Sequence, residues 1–240
     1  ALVKTLEGET RNNILCRAYG IPQRQNSATF PLFGERHMVN SSQIPEEGTN
    51  YMVVDPSNGK NWTMAWFRAA PNGIHYCYRE WPTPDDYIPG VGHAGEWALP
   101  GSKMDGDAGP AQQTFGFSLD RYREEIERVE DGEEVFLRIM DSRFGASPTP
   151  TKSGVTTLID QMGDLGLHFV PASGVSINEG VTMISDVIHW KPHAEEPDDP
   201  GNAPRFYLHE NCKNMAFALA SWTGADGKHG ATKDFVDVAR

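Results

Sequence analysis

The sequence predicts an α/β fold: a mixed sheet, built from an antiparallel three-strand meander plus later parallel strands, flanked by helices on both faces. Three observations carry this expectation. Early in the chain, three runs of apolar, β-branched and aromatic residues follow one another, each bounded by Gly, Pro or Asn. In the second half, strand-like and helix-like runs alternate. With 240 residues, 38% hydrophobic and 22% charged, the chain can bury a full core.

Taken in order, residues 1–20 read as a helical tail ending at Gly20, with Ile14, Leu15 and Ala18 on its apolar side and Pro22 beyond. Residues 21–50 read as irregular, with Phe30-Pro31-Leu32-Phe33-Gly34 as a packing strip. The meander follows. Tyr51-Met52-Val53-Val54-Asp55 is joined through Ser57-Asn58-Gly59 to Thr63-Met64-Ala65-Trp66-Phe67-Arg68. Pro71-Asn72-Gly73 then leads to Ile74-His75-Tyr76-Cys77-Tyr78-Arg79-Glu80-Trp81. Residues 82–116 form a long Gly/Pro-rich stretch, a length that is usually functional or mobile.

Ser118 caps an amphipathic helix with Leu119, Tyr122, Ile126 and Val129 on one face. A strand, Val135-Phe136-Leu137-Arg138-Ile139-Met140-Asp141, precedes a polar loop over residues 146–154. Residues 155–162 read as a short helix and Leu167-His168-Phe169-Val170 as a fifth strand. Ser176 and Glu179 form a capping box for a helix with Ile177, Val181, Ile184 and Ile188 at helical spacing. After an acidic, Pro-rich loop over residues 193–203 come a strand at Arg205-Phe206-Tyr207-Leu208, a helix over 211–222 and a last helix over 232–240.

Composition excludes several classes. No run approaches the roughly 18 apolar residues of a membrane helix. Cys16, Cys77 and Cys212 lack C-x-x-C spacing, which argues for reduced thiols and against a zinc site. No G-x-x-x-x-G-K-[ST] loop is present. The net charge of −12 lowers the expectation of tight DNA binding by the chain alone, although divalent ions reverse the field of an acidic site.

Two strands end in an acid, at Asp55 and Asp141, and the last helix bears Asp234 and Asp237. This order, with Tyr78-Arg79-Glu80-Trp81-Pro82, Arg138-Ile139-Met140-Asp141-Ser142-Arg143-Phe144-Gly145, Gly166-Leu167-His168-Phe169-Val170-Pro171-Ala172 and Asp234-Phe235-Val236-Asp237, resembles the C-terminal nuclease domain of the large terminase subunit of tailed bacteriophages, a ribonuclease H-like fold. The resemblance implies a metal-dependent endonuclease that cuts double-stranded viral DNA during genome packaging, with little sequence preference. It implies residues 51–240 as the nuclease domain and residues 1–50 as a segment leading from an ATPase motor absent from this sequence, whose ends look cut. The implied partners are double-stranded DNA, the terminase ATPase domain, the small terminase subunit and the portal protein. The implied location is the host-cell cytoplasm, at the procapsid portal.

Hydrolysis of a phosphodiester needs an activated water and a stabilised leaving oxygen, which two Mg²⁺ or Mn²⁺ ions roughly 4 Å apart supply. Such ions take oxygen ligands, so carboxylates suit them. Asp55, Asp141 and Asp234 are the expected catalytic and metal-holding residues, with Asp237 as an auxiliary ligand. In the resembled family an acidic pair precedes V-D-A; here Lys233 replaces the first acid and Val238 the alanine. Glu80, His209, Glu210 and His229 are further candidates near the expected cleft, and Arg143 and Lys152 are candidate phosphate contacts.

Each acid also has a bland explanation: Asp55 and Asp141 as turn formers, Asp234 and Asp237 as helix N-terminal acids after Thr232, and Glu195, Glu196, Asp198 and Asp199 as a solvated loop. Two competing functions stand beside the nuclease. One is a motor- or portal-docking module with vestigial catalysis. The other is a carbohydrate-binding or structural β-rich domain, suggested by Trp62, Trp66, Trp81 and Trp97, of which Trp66 and Trp81 fit strand cores better.

Overall fold

The computed structural model describes residues 28–57, 62–83, 87–88, 92–93, 117–151, 154–174, 176–192, 194, 199–224 and 231–240. The expectations for the helical tail over 1–20, the turn at Asn58, Cys16, Trp97, Lys152, His229, Glu195, Glu196 and Asp198 lie outside these residues.

A two-residue strand, β1 (Met38–Val39), arises in the stretch expected to be irregular. The meander then forms as the pattern requires, with β2 (Thr49–Asp55), β3 (Thr63–Ala69) and β4 (His75–Trp81). β2 and β3 pair antiparallel from Thr49–Ala69 to Asp55–Thr63, and β3 pairs antiparallel with β4. The β3–β4 turn needs its glycine. Gly73 sits at φ 79°, where side chains are disfavoured, while the Asn72 side chain accepts the Ile74 N–H at 3.1 Å. A small hairpin, β5 (Tyr87–Ile88) with β6 (Gly92–His93), lies inside the long Gly/Pro-rich stretch.

Helix α1 (Leu119–Glu130) starts at Ser118, whose hydroxyl accepts the Arg121 N–H, and ends at Asp131 in a left-handed conformation. β7 (Leu137–Met140) follows, then a single turn, α2 (Ser142–Gly145). The helix expected over residues 155–162 divides. Its first residues pair in a hairpin, β8 (Thr149–Thr151) with β9 (Gly154–Thr156), and only then does α3 (Leu158–Asp164) begin. Thr157 explains the break: its hydroxyl accepts the Asp160 N–H while the Asp160 carboxylate accepts the Thr157 N–H, a capping box that fixes the helix start after two β-branched residues.

The fifth strand shrinks to β10 (Val170–Pro171), and Leu167 and Phe169 ahead of it pack into the core. α4 (Ile177–Val187) starts at the Ser176–Glu179 capping box, and β11 (Phe206–His209), α5 (Lys213–Ser221) and α6 (Ala231–Ala239) complete the chain.

Seven strands form one mixed sheet in the order β1-β11-β4-β3-β2-β7-β10. Apart from the two antiparallel joints of the meander, every neighbouring pair is parallel. Strand parity then splits the core in two. Met52, Val54, Met64, Trp66 and Met140 face Tyr122 and Ile126 of α1 and Met162 of α3. Val53, Ala65, Phe67 and Leu208 face Ile184 of α4, Met215 and Leu219 of α5, and Phe235 and Val236 of α6. Helices therefore cover both faces, as expected. Because β2, β7, β4 and β11 run the same way, their C-terminal ends share one edge of the sheet.

Candidate active site

That edge carries the acids. β2 and β7 are parallel neighbours in register at Val54 and Met140, and the Asp141 N–H donates to the Val54 carbonyl at 3.1 Å. Asp55 and Asp141 thus leave adjacent strands side by side, at a strand spacing of about 4.8 Å. Val54 and Met140 face α1 and α3, so parity turns Asp55 and Asp141 to the other face. That is the face on which α6 packs, against β2, β3 and α5. Asp234 and Asp237 lie three residues apart and so share one stripe of α6. The Asp234 residue is 7% exposed and the Asp237 side chain 8%.

Cations lie against this cluster. Asp141 caps α2, accepting the Arg143 backbone N–H at 2.7 Å, and the Arg143 guanidinium folds back onto the same carboxylate with Nη2 2.8 Å from Oδ2. Burial pushes the Asp141 acid upward, but the Arg143 hydrogen bonds and charge, helped by Arg240, win and hold it below the ordinary range. Arg143 feels Asp237 and Asp55 as well as Asp141. Asp237 has Arg240 Nη2 at 2.8 Å, poorly aligned for a hydrogen bond, and Lys233 Nζ at 3.7 Å. Its pKa is nevertheless raised, by burial first and by the Asp234 charge, against Arg240, Lys233 and Arg143. Among the described residues, Arg143, Lys233 and Arg240 are the cations whose charge acts on Asp141 and Asp237.

The donor set, carboxylate oxygens from two strand ends and a helix, is the chemistry that Mg²⁺ and Mn²⁺ accept. Among the described residues no three His, Cys, Asp or Glu side chains stand close enough together to hold one ion. Both Asp141 oxygens are engaged by Arg143. The residues fit such an ion in kind, as carboxylate oxygens.

Other candidates have different positions. Glu80 is buried and its two carboxylate oxygens accept the N–H groups of Asn214 and Met215, at 2.9 and 2.8 Å. It caps α5 from a neighbouring strand, where Cys212 at the N-cap supplies no side-chain bond. Glu80→Ala is expected to cost about 1–3 kcal/mol, because two buried donors lose their acceptor; a urea unfolding midpoint measures it.

His209 accepts the Asn211 N–H on Nδ1 at 3.1 Å, which leaves Nε2 to donate to the Ser41 hydroxyl at 2.9 Å. It lines a cavity of about 460 Å³ with Arg68, Arg79 and Glu80, in which Arg68 and Arg79 are held by Glu133. Glu210 is exposed, and Asp199 caps a short turn through the Gly201 N–H. Cys77 and Cys212 are buried free thiols with their sulfurs 3.9 Å apart.

Sequence reading missed the pairing of Arg143 with Asp141, having placed Arg143 against phosphate. The signal was present: an Asp ending a strand with Arg two residues on favours capping of the next turn.

No protein-family model and no curated protein sequence matches the chain. Solved structures do. The nuclease domain of the P22 large terminase is 12% identical, with a TM-score of 0.52, over 88% of this chain and 88% of that one. The chain has the fold of a large-terminase nuclease domain. The large terminase of a thermophilic bacteriophage is 14% identical with a TM-score of 0.52, matching over 88% of this chain. The same terminase in complex with ADP has a TM-score of 0.53 at 13% identity. This chain spans under half of that thermophilic-phage protein, 43% of its length. The expected ribonuclease H-like architecture is thus the observed one, and among the described residues no helix is long and apolar enough to cross a membrane.

Proposed function

We propose that this chain is a divalent-metal-dependent endonuclease that cuts double-stranded DNA with little sequence preference during viral genome packaging. The reading is supported by Asp55 and Asp141 at the ends of adjacent parallel strands, on the sheet face that α6 covers with Asp234 in its first turn, in a fold like that of a large-terminase nuclease domain. Two Mg²⁺ or Mn²⁺ ions would supply an activated water and neutralise charge developing on the leaving oxygen. Asp55 and Asp141 hold the site from rigid strand ends, and Asp234 reaches it from the first turn of α6. Asp237, already engaged by Arg240 and Lys233, supports from one turn deeper. With a net charge of −12 the chain binds DNA weakly alone, so the ATPase motor, small subunit and portal deliver the DNA.

Supercoiled plasmid incubated with the protein and Mn²⁺ is expected to pass to nicked and linear forms, and EDTA to stop the reaction. Intact plasmid at high protein concentration with Mn²⁺ would favour the docking-module reading instead. The two α6 acids are separated by their amide variants. Asp234→Asn is expected to lower cleavage by about 10²-fold or more and Asp237→Asn by roughly tenfold. The reverse order of initial rates would transfer the ligand role to Asp237.

A further inference from the structure

We propose that Arg143 is an exchangeable counter-ion of the carboxylate cluster, paired with Asp141 while no divalent cation is held and turned to a DNA phosphate once one is. The inference rests on the nuclease reading and adds a second role for a residue beside the site.

Its geometry is specific. Asp141 Oδ1 receives the Arg143 backbone N–H at 2.7 Å, while Nη2 and Nε of the same residue lie 2.8 and 3.2 Å from Oδ2. One residue therefore engages both oxygens of a carboxylate that the metal reading needs. The backbone bond alone caps α2, so the guanidinium contact is not required to form that turn.

The contact is also easily given up. The Arg143 side chain is 61% exposed, and ion pairs in such surroundings are worth about a factor of five at most. A dication set among Asp55, Asp141 and the α6 acids interacts with several charges at once, so the arginine yields. The released guanidinium stays tethered at the strand end that carries Asp141, within reach of a phosphate bound at the acids. Its planar fork matches the oxygens of a phosphate as well as those of a carboxylate, which a lysine ammonium does not. Arg143 in this way keeps the acids neutralised before loading and contributes a positive contact afterwards.

The test compares wild type, Arg143→Ala and Arg143→Lys, with metal affinity read by calorimetry using Mn²⁺ alone. Arg143→Ala is expected to bind Mn²⁺ about fivefold more tightly, because a competing cation is gone, with Arg143→Lys in between. Binding of a short DNA duplex is then measured in Ca²⁺, as a probe of the loaded state, and in EDTA. In Ca²⁺ the alanine variant is expected to lose about fivefold in affinity, with the salt dependence lowered by roughly one contact. In EDTA, where Arg143 is already engaged by Asp141, the loss is expected to be clearly smaller, about twofold, from the carboxylate left unpaired.

Unchanged or weaker Mn²⁺ binding by Arg143→Ala, with wild type binding normally, overturns the exchange and leaves the nuclease reading standing. An equal loss of DNA affinity in EDTA and Ca²⁺ also overturns it, making Arg143 a constant phosphate contact. Wild-type protein that takes up no Mn²⁺ overturns both.

Discussion

Asp55→Asn is expected to reduce Mn²⁺-dependent plasmid cleavage by about 10²–10³-fold, the scale of losing one preorganised electrostatic group from an active site. Asparagine keeps the volume and one oxygen but removes the charge, so the change isolates electrostatics. Asp55 ends β2, which is bonded on one side to β3 and on the other to β7, and this placement leaves the carboxylate little freedom to drift. The expected signature is a fall in the rate at saturating Mn²⁺ with an unchanged thermal midpoint. A variant that cuts at the wild-type rate would remove Asp55 from the mechanism, and one that melts well below wild type would make it structural.

The largest effect on stability is expected at Trp66. Its indole is fully buried between the meander and α1, in the cluster containing Met52, Tyr122 and Ile126. Nε1 donates to Glu130 at 3.1 Å, and Glu130 also receives Arg138. Trp66→Ala removes the ring, leaves a cavity and takes one donor from a buried carboxylate, for a cost of about 3–5 kcal/mol. Against total stabilities of roughly 5–15 kcal/mol this is a large share. Urea unfolding followed by fluorescence measures it; a loss below about 1 kcal/mol would mean the ring is not a core element.

The parts of the fold legible in the sequence are those set by local chemistry. Strand runs bounded by Pro71, Asn72 and Gly73 gave the meander, and Ser118 and Ser176 marked helix starts that form where expected. Trp66 and Trp81 were legible as core because they fall within strands, and both are buried. Where two local signals competed, the reading failed. Residues 155–162 read as one short helix, yet the Thr157 capping box starts the helix later and Val155 pairs in a hairpin.

The candidate site was legible in its residue types and not in its contacts. Nothing in the sequence places Asp55 beside Asp141, because their adjacency depends on β7 returning to pair with β2 after the meander and α1. Glu80 shows the same limit. Its place on a strand near the cleft suggested a ligand, whereas its buried carboxylate is used by the start of α5, far along the chain. The cations that neutralise the acids were in view as residues, but only the fold sets Arg143 on Asp141 and Arg240 on Asp237.

The central claim is that acids from β2, β7 and α6 together hold divalent ions, and Mn²⁺ located by anomalous diffraction in soaked crystals tests it most directly. The expected result is manganese density bounded by Asp55, Asp141 and Asp234, with the Arg143 guanidinium moved off Asp141. Manganese bound elsewhere on the surface, with the Arg143–Asp141 pair intact at full soaking concentration, would contradict it.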